Sequence, residues 1–282
     1  MAKRSKKKKK HARIKSDGPS MAETADRHVL YEAAVQCVEA EIDFVVQEFQ
    51  NLRGRRARTL REDFCGTAST SCEWVRRHAD NSATGVDLDS EVLQWGTENR
   101  VANLAPAARE RITLIEGDVM RVETAPQDIV LAMNFSYFSF KERAQLRSYF
   151  RRTLGALIDD GVFFLDCYGG YDAFRELNEH TEHKGFTYVW DQASYNPVNG
   201  HTINHIHFRF DDGSRMKKAF SYDWRLWTLP EIREILMEAG FSRNTVYWQG
   251  WDEDEEEGSD EFEPVETADA DAGWICYIAA VK

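Results

Sequence analysis

The chain has 282 residues, 42% of them hydrophobic, enough for one sizeable core. Its five cysteines are odd in number and contain no C-x-x-C pair, which fits reduced thiols in a cytoplasmic setting and excludes a disulfide scaffold. Nine of the 36 Lys and Arg residues fall within residues 1–15, leaving 27 basic against 48 acidic residues, a balance of −21; a body this acidic excludes a general nucleic-acid clamp.

Residues 1–20 read as a disordered basic tail that ends at Gly18-Pro19-Ser20. No apolar h-region follows it, so it is not a secretory signal, and no apolar run is long enough to span a bilayer. The tail is expected to be a solvated arm. Alternatively, residues 3–15 form a tether to nucleic acid or the ribosome, or an import signal.

Helical spacing from Ala22 to Asn51 predicts one long amphipathic helix. Ala57 to Phe64 is expected to be the first strand, and Ala68 to His78 the helix after it. Ala83–Asp87 is a short buried strand, and Ser90 N-caps a helix to Ala102. Strands at 112–116, 129–133 and 161–166 follow, with a helix over 141–157 before the last of them. This alternation predicts an α/β fold, a Rossmann-like seven-stranded sheet with helices on both faces. Three longer antiparallel strands over 186–224 read as an insertion or lid after strand five. A helix from Leu229 to Gly240 and two closing strands complete the domain at 21–282. The segment 251–272, with twelve acids and no base, is expected to be a solvated loop.

The stretch LREDFCGTAST, Leu60 to Thr70, places an acidic pair and a glycine turn between strand and helix, and Asp87 lies 21 positions after Gly66. A turn without side chains lets backbone approach a ligand, and a carboxylate on the next strand end can hold ribose hydroxyls. The turn lacks the G-x-G-x-x-G of nicotinamide and flavin proteins. Asp118-Val119 and Asn134 end the next two strands.

These ordered landmarks resemble the class I S-adenosylmethionine-dependent methyltransferases over roughly residues 25–282. The strings REDFCGTA and MNFSY also resemble a bacterial subgroup of that family, one that supplies no substrate. The family's acidic-x-Gly-x-Gly-x-Gly motif falls on Glu62, Phe64, Gly66 and Ala68, so only the middle glycine is kept. The resemblance implies S-adenosyl-L-methionine as cofactor. Glu62, Cys65, Gly66 and Thr67 would lie at its methionine end, Asp87 on the ribose, Leu88 against adenine, Asp118 and Val119 at the adenine edge, and Asn134 beside the methionine moiety. Tyr31 and Glu32 would close over it from the first helix.

The implied activity is methyl transfer to a nitrogen or oxygen of a small-molecule acceptor. The alternatives are an RNA or protein methyltransferase guided by the basic tail, or a binder that performs no transfer. Met133-Asn134-Phe135-Ser136-Tyr137 stands where amino-methyltransferases carry Asn-Pro-Pro-Tyr, with both prolines missing. Tyr137 is therefore a candidate catalytic residue, with His180, His205 and His207 as other candidate bases. The aromatic residues after strand five are expected in part to cover the pocket, where ring faces favour a sulfonium or amine cation. His180 and His183, or His201, His205 and His207, lack the pattern of a known metal site, and no metal is expected. Cys65 and Cys72 read as packing residues.

Overall fold

The computed structural model describes residues 18–252 and 257–282. The basic tail therefore lies outside the described residues. The single predicted N-terminal helix is three helices: α1 (Met21–Thr24), α2 (Arg27–Val35) and α3 (Val38–Arg53). Asp26 breaks the first join, because its side chain accepts from the N–H groups of His28 and Val29 and so starts a new helix. Gln36, extended at ψ 128°, breaks the second.

The alternating region then runs β1 (Thr59–Asp63), α4 (Ser69–Arg77), β2 (Ser82–Asp87), α5 (Ser90–Asn99), α6 (Pro106–Arg109), β3 (Ile112–Glu116), β4 (Gln127–Ala132), α7 (Arg143–Gly155) and β5 (Leu157–Gly169). The N-cap of α5 is Asp89, which accepts from Glu91 and Val92 N–H, and not the expected Ser90. Next come β6 (Leu177–His183), β7 (Phe186–Asn196), β8 (His201–Phe210) and β9 (Arg215–Arg225). The chain closes with α8 (Leu229–Ala239), β10 (Arg243–Asp252), β11 (Glu257–Val265) and β12 (Trp274–Val281).

The main sheet has the order β11-β10-β12-β5-β4-β1-β2-β3, with β1 to β5 parallel and the last three antiparallel. It has eight strands, not seven. The extra one is β11, inside the acidic segment read as a loop. It pairs with β10 at the sheet edge, and Phe262 stacks on Tyr277 at 3.9 Å. An edge strand tolerates both charge and Pro264, so its sequence does not advertise pairing.

One core lies between the sheet and α3 and α4, around Ile42, Phe49 and Trp74. The other lies on the opposite face under α7 and α8, around Tyr149, Phe163 and Ile235. The insertion is a separate four-stranded antiparallel sheet, β6-β7-β8-β9. It begins at 177 rather than 186, because β6 is a polar edge strand without apolar alternation. Gln192 fastens it to the main sheet by donating to the carbonyls of Asp172 and Arg175 in the turn after β5.

Helix α2 is held between the two sheets. Glu32 accepts from Thr67 Oγ1 at 2.6 Å and Ser69 Oγ at 2.7 Å, and pairs with Arg100. On its other side Tyr31 packs on Phe220 of β9 at 4.9 Å.

Candidate functional site

The loop after β1 is built on left-handed backbone. Phe64, Gly66 and Ala68 have φ of 58°, 52° and 59°. These are the three motif positions, so the turn keeps its path although two of its glycines are replaced. A non-glycine residue in that region costs about 1–2 kcal/mol, which the surrounding packing must offset. Ala68 is fully buried, Cys65 is nearly so, and the Cys65 N–H donates to Val86 O.

Helix α5 presses on the same loop through Gly96. A Cβ there would stand 2.4 Å from the Thr67 carbonyl oxygen. Gly96→Ala should therefore cost roughly 1–3 kcal/mol of stability and shift the loop, read as a lower Tm together with weaker S-adenosylhomocysteine binding.

Asp87, at the end of β2, faces the loop. Its Oδ2 accepts from Gly66 N–H at 2.8 Å and its Oδ1 from Asp89 N–H at 3.0 Å. Beside it Leu88 is 69% exposed, apolar surface open to a flat ligand. Asp118 caps the turn after β3 by accepting from Met120 N–H at 2.8 Å, and Val119 is buried behind it. Glu62 is buried beneath the loop, and its Oε2 accepts both the N–H and the hydroxyl of Ser71. It buttresses α4 through that one oxygen.

At the end of β4, Asn134 and Phe135 are consecutive left-handed residues, both at φ 57°. Asp166 of β5 holds them: its two oxygens accept Asn134 N–H at 2.6 Å and Phe135 N–H at 2.9 Å. The same turn drives Tyr137 inward. Tyr137 is fully buried, with its hydroxyl donating to the Asp166 carbonyl. It does not reach the cavity and leaves the set of candidate catalytic residues.

Residues of both sheets line an open cavity of about 880 Å³. Of the expected cofactor residues Tyr31 and Asn134 line it, while Glu62, Cys65, Gly66, Thr67, Asp87, Leu88, Asp118 and Val119 do not. Tyr168, Trp190, Tyr222, Trp224, Trp248 and Trp274 supply most of its ring surface. The insertion supplies part of the cavity wall through Tyr188, Trp190, Tyr222 and Trp224. Trp248 and Trp274, tilted against each other with ring centroids 4.8 Å apart, come from the closing strands, where no motif pointed to them.

None of the expected histidine bases lines this cavity. His205 bonds Ser221 at 2.8 Å and His207 bonds Asp191 at 3.0 Å, both opposite Ile206, which faces inward. His180 alternates with the inward Glu179 and Thr181. Cys72, pushed up to about 12 by burial, and Cys65, raised by burial as well, are poor nucleophiles.

Three buried carboxyls gather below the loop and the Asn134 turn. Burial pushes Glu41 up to about 7, Glu62 to about 8 and Asp166 to about 8. Negative charge from Glu41 raises the other two further. Glu41 escaped the sequence reading, although a carboxylate in the apolar stripe of a helix was its signal. Its one hydrogen bond among the described residues is a long one, 3.5 Å from Thr70.

These three groups hold protons in the folded chain that they release in the unfolded chain above about pH 4.5. The folded state then binds more protons, so stability falls as pH rises toward 8. His28 and His205, lowered chiefly by burial, work in the opposite sense below their ordinary 6.5. The clean window is therefore pH 6.5–8: thermal denaturation should show Tm falling across it, and Glu41→Gln should flatten the fall.

The residues present fit an S-adenosylmethionine-like ligand. Two carboxylate oxygens and exposed Leu88 suit a nucleoside.

No protein-family model matches the chain, and no curated protein matches it by sequence. Solved structures do match. A S-adenosylmethionine-dependent methyltransferase from Clostridium acetobutylicum ATCC 824 is 16% identical, over 89% of this chain and 96% of that one, at a TM-score of 0.64. An amino pentose methyltransferase from Micromonospora echinaspora, involved in calicheamicin biosynthesis and solved with SAM bound, is 15% identical, over 90% and 96%, also at 0.64. A sugar N-methyltransferase from Streptoalloteichus sp ATCC 53650 is 17% identical, over 97% and 99%, at 0.61. At such identities the likeness shows the fold: the chain has the class I methyltransferase fold, with an eight-stranded main sheet and a separate four-stranded antiparallel sheet.

Proposed function

We propose that this chain is an S-adenosylmethionine-dependent methyltransferase acting on a nitrogen or oxygen of a small molecule held in the aromatic cavity. One observation carries the reading. The loop after β1 keeps left-handed backbone at all three motif positions, despite two lost glycines, and Asp87 stands against it. Strain of that kind persists where surrounding structure enforces it, and it clusters at ligand sites.

S-adenosylmethionine supplies a methyl group already activated on a sulfonium. Asp87 would hold the ribose hydroxyls, with Leu88 and Val119 flanking adenine and Asp118 at its edge. Gly66 and Thr67 would let backbone approach the methionine end, with Cys65 packed behind. Tyr31 and Asn134 would stand between cofactor and acceptor. Glu32, by tying α2 to Thr67, Ser69 and Arg100, keeps Tyr31 over the cavity. Chain residues then mainly align the acceptor and exclude water, a contribution worth roughly 7–11 kcal/mol in favourable cases. A cavity of about 880 Å³ has room for a compact acceptor, and similar solved structures include sugar methyltransferases.

The test has two parts. Calorimetry should detect S-adenosylhomocysteine binding at micromolar affinity. Radiolabel from the methyl donor should enter the small-metabolite fraction of a cell extract. Absence of binding would remove the cofactor assignment. Label in RNA or protein would redirect the acceptor.

A further inference from the structure

The cavity has a charge pattern that the cofactor side does not explain. Among the described residues that line it are three carboxylates, Asp172, Glu179 and Asp271, and no Lys, Arg or His. Asp172 has its cation in Arg175, at 2.5 Å. The Glu179 carboxylate has neither an ion pair nor a hydrogen bond among the described residues. Its neighbours in charge are Asp172 and Tyr188, neither a cation.

Strand geometry places Glu179 for contact with a ligand. On β6 it shares the inward face with Thr181, and the register sets it opposite Trp190 of β7. The Trp190 ring lies 6.0 Å from that of Tyr222 and 6.2 Å from that of Trp224. Tyr222 and Trp224 stand 4.4 Å apart. Such ring faces attract an organic cation, and a carboxylate gives it a charge-assisted hydrogen bond. A neutral hydroxyl compound gains little from either, and an anion is repelled by all three acids.

We propose that Glu179 anchors the ammonium group of an amine acceptor, so that the cavity selects amines over neutral alcohols of the same shape. The proposal rests on the methyltransferase reading and adds the acceptor class. Glu179 is exposed at the open side of the cavity, where desolvation by the cavity wall and the charge of Asp172 raise its carboxyl above the usual range. Glu179 is a specificity-determining residue on this view.

Cyclohexylamine, protonated at neutral pH, and cyclohexanol are near-isosteric probes. Each is titrated into the full chain in the presence of S-adenosylhomocysteine, with the cavity tryptophans as the fluorescence signal. The amine should bind about tenfold tighter or better. Glu179→Gln should abolish that preference, while Asp172→Asn, whose carboxylate Arg175 already pairs, should keep most of it. Equal binding of the two probes, a preference that survives Glu179→Gln, or no amine binding at millimolar concentration overturns the proposal. S-adenosylhomocysteine is first titrated alone by calorimetry. A wild type that fails to bind it sinks the methyltransferase reading. A Glu179→Gln chain that binds it normally is folded and reports on the anchor alone.

Discussion

Asp166→Ala should be the most destabilising single change at the site, lowering stability by about 3 kcal/mol and Tm by about 5–10 °C. The carboxylate accepts the N–H groups of both Asn134 and Phe135, and these are left-handed residues in sequence. Removing the acceptor orphans two donors at the mouth of a buried strand, at about 1–3 kcal/mol each. Relief of a buried carboxyl, pushed up to about 8, offsets part of that cost. Asp166→Asn is no rescue: an amide offers one acceptor oxygen and turns its NH2 toward the second N–H donor. Thermal denaturation of the three proteins decides the matter. An Ala variant within 1 °C of wild type would show that the turn does not depend on Asp166. Where enough folded variant remains, binding of cyclohexylamine should also weaken, because Asn134 and Phe135 line the cavity.

The parallel half of the fold was legible because its strands are short, buried on both faces and separated by helix signals. Their ends were therefore legible too, and Asp87, Asp118 and Asn134 all stand at strand ends as expected. The two missed strands, β6 and β11, share a cause. Each is an edge strand whose partner supplies most of the packing, so its own residues stay polar and the period-two signal vanishes. Tyr137 was misread for another reason. A string such as MNFSY names the residues of a turn without their backbone angles. Two successive left-handed residues decide that Phe135 faces the cavity and Tyr137 the core. Phe64 and Ala68 carry the converse lesson. Neither is a glycine, yet both take left-handed backbone, in a loop packed through Cys65 and Thr67. Glu179 and Asp166 were invisible because their meaning lies in what surrounds them: one lacks a cation, the other caps a turn 31 residues away in sequence.

Asp87→Ala should weaken S-adenosylhomocysteine binding by about 100-fold. A carboxylate holding two ribose hydroxyls makes two charged hydrogen bonds, each worth about 1.5–3 kcal/mol in binding, and about 3 kcal/mol corresponds to that factor. Asp87 already accepts from Gly66 and Asp89 N–H, so its oxygens are fixed in place before any ligand arrives. Such pre-organisation saves ordering cost on binding and is lost with the side chain. Asp87→Asn should fall between the two, since it keeps one acceptor for the loop and loses the charge. Asp118→Ala, which removes a cap on a partly exposed turn, should cost less than Asp87→Ala. Calorimetry on the three variants gives the order directly. The thermal midpoint of Asp87→Ala separates affinity from folding: Gly66 is half-exposed, so water can replace the lost acceptor and Tm should drop by only a few degrees. An Asp87→Ala chain that binds S-adenosylhomocysteine like wild type would take Asp87 out of the ribose role. The anchor for the nucleoside would then have to be sought at Asp118.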